Sequence, residues 1–126
     1  MRYTPEDQNL ALSFFCNTLD SWQTYGIRDA NLVHLARHIL LAHSEGKGIN
    51  ILSLAECTGN PYETVRGRVN RLLENDLFCR SDDGMIRLSD DKAALKIWQE
   101  ASHRVIDNLL SVAEEINKRH SNTDIR

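Results

Sequence analysis

The densest chemistry in the sequence lies between residues 60 and 80. Arg66, Arg68, Arg71 and Arg80 stand there against Glu63, Glu74 and Asp76, so the stretch is net positive in a chain whose formal charge is −3. Guanidinium groups are planar, permanently charged donors that fit phosphate oxygens and the acceptor edge of guanine. Duplex DNA presents closely spaced phosphates, so a reader of it needs local positive charge and helix-borne side chains that reach base edges. The ordinary alternative is a solvated helix face with short-range pairs, such as Arg66 with Glu63 or Arg71 with Asn75. Arg87, between Ile86 and Leu88, alternates outward and could reach a phosphate or minor groove, or be a plain exposed strand arginine.

Other chemistries are not indicated. The sequence has no Gly-x-Ser-x-Gly elbow, no phosphate-cradling glycine-rich loop, no His-Glu-x-x-His and no Cys–His or paired-carboxylate arrangement. Neither catalysis nor a cofactor is expected. His34 and His38 have the i,i+4 spacing that can place two imidazoles on one metal, but no third ligand is marked nearby, and surface or core placement is the expectation. Cys16, Cys57 and Cys79 are odd in number and form no CxxC pair, so neither a disulfide framework nor a zinc ribbon is indicated. Buried free thiols are the expectation, and a redox sensor the alternative.

These side chains need a scaffold. At 126 residues, with 41% apolar and 26% charged residues, the chain is long enough for one domain with a real core and too apolar for disorder. No run approaches the roughly 18 apolar residues of a bilayer span, and the amino terminus is too polar for a signal peptide, so a cytoplasmic protein without a membrane partner is expected.

"TPED" (4–7) reads as a helix start, with Thr4 capping, Pro5 in the first turn and two carboxylates at the positive helix end. Leu10, Phe14, Leu19 and Trp22 follow at roughly helical spacing until Gly26 breaks the helix. Asp29 caps a second helix whose Leu32, Leu35, Ala36, Ile39 and Leu40 face a core. A short helix starts after Asn50 and stops at Gly59, which can take the left-handed conformation. Asn60 is then expected to cap the next helix, with Pro61 at its first position and Glu63 completing a capping box. Two short helices joined so tightly make a helix-turn-helix.

The new helix, expected to reach about Asn75, sets Val65, Val69, Leu72 and Leu73 on one side. Glu63, Gly67 and Asn70 lie opposite, flanked by Thr64, Arg66 and Arg71. Gly67 costs about 1 kcal/mol against alanine in a helix interior, which asks for either close approach of backbone to a groove or a packing reason. "LFCR" and "MIRL", hinged at 81–84, read as a hairpin, the wing of a winged helix. Ser89 is expected to cap the last helix, with Asp90 and Asp91 in its first turn. There Leu95, Trp98, Ser102, Val105, Leu109, Val112 and Ile116 step by threes and fours, a heptad seam broken only at Ser102. So long an apolar helix needs a partner, expected to be a second copy of itself assisted by the first helix.

The order of elements resembles the MarR family of dimeric winged-helix transcription regulators. The residues that carry the resemblance are "NILSLAECTGNPYETVRGRVNRLLENDLFCR". Asn50, Leu54-Ala55, Thr58-Gly59, Thr64-Val65, Leu73-Glu74 and Asp76-Leu77-Phe78 are similar to that family's cap, Leu-Ala, Thr-Gly, Thr-Val, Leu-Glu and wing-start positions, and Leu88-Ser89 to its frequent Leu-Thr. The resemblance covers nearly the full chain. Asp76 stands where the family usually has glycine, and the wing is short and lacks the usual Asp-x-Arg at its tip.

The resemblance implies a mainly α, winged helix-turn-helix fold, a three-helix core plus a short β-hairpin wing, with N- and C-terminal dimerisation helices. A single domain, 1–126, would comprise a dimerisation helix (1–28), the core (29–89), a second dimerisation helix (90–120) and a disordered tail (121–126). It implies a homodimeric DNA-binding regulator that places 61–75 in the major groove of a palindromic site and the wing, 77–88, on the flanking backbone or minor groove. Glu63, Thr64, Arg66, Gly67, Asn70 and Arg71 would lie nearest the bases, Arg68, Arg80 and Arg87 would hold phosphates, and Asn60 and Tyr62 complete the DNA-binding set. Leu95, Trp98, Val105, Leu109, Val112 and Ile116 would form the dimer seam. Trp22, Tyr25 and Trp98 lie on elements that line a ligand pocket in that family, so a small aromatic or phenolic effector stands beside simple core packing for them. The alternative function is a winged-helix protein–protein interaction module that does not bind DNA.

Overall fold

The computed structural model of the chain describes residues 3–23 and 27–124. Gly26 and Tyr25 lie outside the described residues. Helices dominate: α1 (Pro5–Trp22), α2 (Ala30–Ser44), α3 (Ile51–Thr58), α4 (Tyr62–Leu73) and α5 (Lys92–Asp124), with one antiparallel pair, β1 (Phe78–Arg80) and β2 (Ile86–Leu88), between α4 and α5. The molecule is thus mainly helical with a small two-stranded sheet.

The helix starts follow from short polar side chains that satisfy free backbone N–H groups. At α1, Asp7 N–H donates to Thr4 Oγ1 (3.2 Å) and Thr4 N–H donates back to Asp7 Oδ2 (3.0 Å), a complete capping box. At α2, Leu32 N–H donates to Asp29 Oδ1 (3.0 Å), and at α3, Ser53 N–H donates to Asn50 Oδ1 (2.8 Å). Gly59 ends α3 at φ 69°, a left-handed conformation that glycine reaches without a Cβ penalty.

Two caps differ from expectation. Asn60 does not cap α4, and no capping box forms with Glu63. Pro61, at φ −59° and ψ 145°, is still extended, so the helix starts one residue later and Pro61 itself occupies the cap position without a side-chain bond. Its carbonyl accepts from Val65 N–H at 3.1 Å. At α5, Asp91 rather than Ser89 is the cap, accepting from Ala94 N–H at 3.0 Å. The Ser89 hydroxyl is used elsewhere: it donates to the Asp76 carbonyl and ties the end of β2 to the segment before β1. The last helix also continues to Asp124, into the stretch expected to be a disordered tail. Its 33 residues make it about 50 Å long at 1.5 Å per residue.

One core joins α2, α3, α4 and the hairpin. Leu32, Leu35, Ala36 and Ile39 of α2 meet Ile51 and Leu54 of α3, Val65, Val69 and Leu72 of α4, and Leu77, Phe78, Ile86 and Leu88 around the strands. Of the expected stripes, Leu40 and Leu73 are only half-buried. The strands pair Phe78 with Leu88, Cys79 with Arg87 and Arg80 with Ile86. They are held to the body by reciprocal backbone bonds between Ile49 and Ile86 (3.0 and 2.8 Å). That approach is close enough to require glycine at 48, where a Cβ would lie 2.6 Å from Met85 Cβ.

Helix α1 runs antiparallel along α5. Trp22 and Trp98 sit 6.3 Å apart at one end, and Asp7 meets Arg119 and His120 at the other.

Candidate nucleic-acid interface

The buried side of α4, at Val65, Val69 and Leu72, fixes what its other side presents. Glu63, Thr64, Arg66, Gly67, Asn70 and Arg71 are all exposed along it, Tyr62 is exposed at its start, Asn60 is half-buried just before it, and Arg68 is half-buried at the edge. Every residue expected nearest the bases therefore lies on one open helix face. A Cβ at Gly67 would meet no atom within 4 Å. No neighbour among the described residues requires a glycine there.

The arginines differ in how free they are. Arg66 is held by Glu63, with NH2 2.8 Å and Nε 3.0 Å from the same carboxylate oxygen. Glu63 is available for this contact because it forms no capping box. Arg68, Arg71 and Arg80 have no hydrogen bond or ion pair among the described residues. Arg71 borders a polar cavity of about 350 Å³ shared with Arg28, Glu74 and Asn75. Arg87 is a half-buried strand residue whose guanidinium reaches both Asp90 oxygens at 3.4 Å and the Leu88 carbonyl at 3.2 Å. The Asp90 contacts hold its pKa above the usual arginine value. Of the expected phosphate holders it is the one already committed to the chain's own groups.

Residues assigned to a dimer seam divide. Leu95 and Trp98 pack on the core, and Val105, Val112 and Ile116 are half-buried on the side of α5 that α1 occupies. Leu109 is 47% exposed. The larger exposed apolar surface joins Ile106, Leu109 and Leu110 of α5, apolar positions already readable in the sequence, with Leu12 and Phe15 of α1, which were not singled out there. At about 100° per residue these side chains turn forward from the inward seam on both helices, and in an antiparallel pair forward rotation on each leads to one common face. The groove between Gln8 and Ala11 on one helix and Ala113 and Asn117 on the other opens on that face. The spacing of α5 alone could not show this, because the position of α1 decides which apolar residues remain open.

Between α2, α5 and the end of α1 lies an apolar cavity of about 300 Å³, walled by Trp22, Ile27, Val33, Ala36, Leu40 and Trp98, with Arg37 also lining it. The Trp22 indole nitrogen is buried and has no partner among the described residues. Tyr25, expected near this site, lies outside the described residues.

His34 and His38 sit on the outer side of α2, and among the described residues no group of three His, Cys, Asp or Glu side chains is placed to hold a metal. The cysteines are free, but Cys16 and Cys57 are exposed rather than buried, because Cys16 faces away from the α1–α5 seam and Cys57 lies in the outer last turn of α3; Cys79 is half-buried. Among the described residues no helix is long and apolar enough to cross a membrane. Compared with known proteins, the chain matches no family model, no curated protein and no solved structure.

Proposed function

We propose that the chain is a winged helix-turn-helix DNA-binding regulator of the MarR-like kind, acting as a homodimer. In this reading α3 and α4 are the helix-turn-helix, α4 enters the major groove, and the β1–β2 hairpin is the wing beside it. The observation that carries it is the open face of α4. Glycine at 67 costs helix stability and serves no contact among the described residues, while Thr64, Asn70 and Arg71, which has no partner among the described residues, surround it. Close approach of a duplex gives that glycine a reason. Arg68 and Arg80 supply phosphate contacts, and Arg87 a weaker one because Asp90 competes for it.

The apolar face of the α1–α5 pair supports the second copy. Leu12, Phe15, Ile106, Leu109 and Leu110 make a patch of the kind that marks an association surface. A two-fold axis through it would bury the patch against itself and present two α4 helices to one duplex. The apolar cavity at Trp22 and Trp98 adjoins both this pair and α2, so an effector bound there would favour one spacing of the reader helices over another.

Selection of bound duplexes from a random pool at low salt tests the reading. Recovery of inverted repeats with half-centres about one helical turn apart is expected. A chain that retains no duplex at low salt ends it.

A further inference from the structure

A second polar cavity, of about 270 Å³, lies on the opposite side of α2 from the core and closes against the end of α3. It is lined by Asn31, His34, Arg37 and His38 of α2 together with Cys57, Thr58 and Asn60. We propose that this cavity is a phosphate-binding site, and that its occupant is a backbone phosphate of the duplex flanking the stretch read by α4. The assignment rests on the DNA-binding reading above.

The lining chemistry is one-sided. None of these side chains carries a carboxylate and each carries a donor group, the Thr58 hydroxyl being already given to the Leu54 carbonyl at 2.8 Å, in a chain with a formal charge of −3. Asn31, His34 and His38 step by three and four residues, so they share one face of α2 with Arg37 at its edge. The side chains of Asn31, His34, Arg37, His38 and Asn60 make no hydrogen bond or ion pair among the described residues. Arg66, Arg87 and Arg119, by contrast, are each paired with a carboxylate.

A concave site whose guanidinium, two imidazoles and two carboxamides have no partner among the described residues is matched to a tetrahedral oxyanion. A metal is the wrong occupant: although Cys57 also lines the cavity, among the described residues no three His, Cys, Asp or Glu side chains are placed to hold one. Its place in the chain names the source of the phosphate. Asn60 is one wall, and Pro61 and α4 follow it directly, so a phosphate held here would fix the depth and angle at which the amino end of α4 meets the groove.

Two measurements on the full chain test the proposal. In the first, inorganic phosphate is titrated while the ring resonances of His34 and His38 are followed by NMR. Saturable shifts are expected in the wild type and their loss in Arg37→Ala. In the second, duplex affinity is measured across a salt series for wild type, Arg37→Ala and His34→Gln/His38→Gln. The histidine variant is included because Arg37 also lines the apolar cavity, whereas His34 and His38 do not. The logarithmic salt slope is expected to fall by about one unit per protomer in Arg37→Ala, and the histidine variant to bind duplex more weakly with its sequence preference intact.

Saturable phosphate shifts with unchanged duplex affinity and slope would overturn the duplex assignment and leave a site for a free phosphate group. Absence of both responses overturns the site altogether. If the wild type binds no duplex, the regulatory reading fails and the duplex source with it, and the phosphate titration alone then decides for or against the site.

Discussion

Asp7 and His120 stand at opposite ends of the sequence, yet Asp7 Oδ2 lies 2.7 Å from His120 Nε2. The same carboxylate, buried at the start of α1, also accepts from Arg119 at 3.2 Å and from Thr4 N–H, while Tyr3 meets the His120 ring edge-on at 5.4 Å. One side chain therefore serves as both the cap of α1 and the clamp that holds the far end of α5 against it.

Acid should loosen this clamp. The Thr4 backbone bond, with help from His120 and Arg119, holds the Asp7 carboxyl well below the usual carboxylate range. A depressed folded-state value means that its stabilisation is complete above the ordinary aspartate value of about 3.9 and is lost progressively as pH falls below it. Asp7→Asn is expected to lower the melting temperature at neutral pH and to flatten the acid limb of the stability curve. An acid limb as steep as that of the wild type would contradict the assignment.

Gly48 is fixed by contact rather than by conformation. Its missing Cβ leaves room for Met85 Cβ, beside the reciprocal Ile49–Ile86 bonds that hold the hairpin to the body. Gly48→Ala must displace that segment, at a cost of about 1–3 kcal/mol typical of overpacking. Chemical denaturation checks it, and an unchanged midpoint would show that the hairpin can shift freely.

Local signals made most helix starts legible in the sequence. Thr4, Asp29, Asn50 and Gly59 act where expected because their effect needs only a few neighbouring backbone groups. The misplaced caps at Asn60 and Ser89 were each decided by something less local: the extended ψ of Pro61 in one case, and the Asp76 carbonyl reached across the hairpin in the other. The face of α4 was readable from Val65, Val69 and Leu72, since a buried stripe determines its own opposite. The Asp7–His120 clamp was not, because no spacing rule brings together residues so far apart in the chain, and of the polar cavity between α2 and α3 the sequence showed only the His34–His38 spacing, since Cys57 and Asn60 are brought to it by packing.

Arg71, expected nearest the bases, and Arg87, expected on phosphate, should respond differently to substitution for a reason the sequence did not show. Arg71 is exposed and unpaired among the described residues, whereas Arg87 is engaged by Asp90. Arg71→Ala is expected either to reduce the salt slope of duplex binding by about one unit per protomer or to relax sequence preference by about 1–3 kcal/mol, depending on whether it meets phosphate or base. Arg87→Ala should change the slope much less. Equal responses in a salt series would place Arg87 on the duplex as well.

The open apolar face predicts association through α1 and α5. Leu110 is 61% exposed and Phe15 60% exposed, so polar replacements there leave the protomer core untouched. Leu110→Glu is expected to convert a dimer to a folded monomer in sedimentation, with helical content retained and duplex affinity sharply reduced. Val65→Glu, in the core, should instead unfold the chain. A Leu110→Glu protein that remains dimeric would move the interface elsewhere.

Gly67 separates stability from function most cleanly. With nothing within 4 Å of its absent Cβ, Gly67→Ala should fit without strain and stabilise α4 by about 0.5–1 kcal/mol, from backbone entropy alone. If a duplex approaches the helix at this point, the same methyl group meets sugar or base and weakens binding. The expected result is therefore a variant that melts higher and binds duplex less tightly, measured on one preparation by thermal unfolding and by titration. A variant that gains stability and keeps full affinity would show that the duplex does not approach α4 at Gly67, and would remove the main support for placing this helix in the groove.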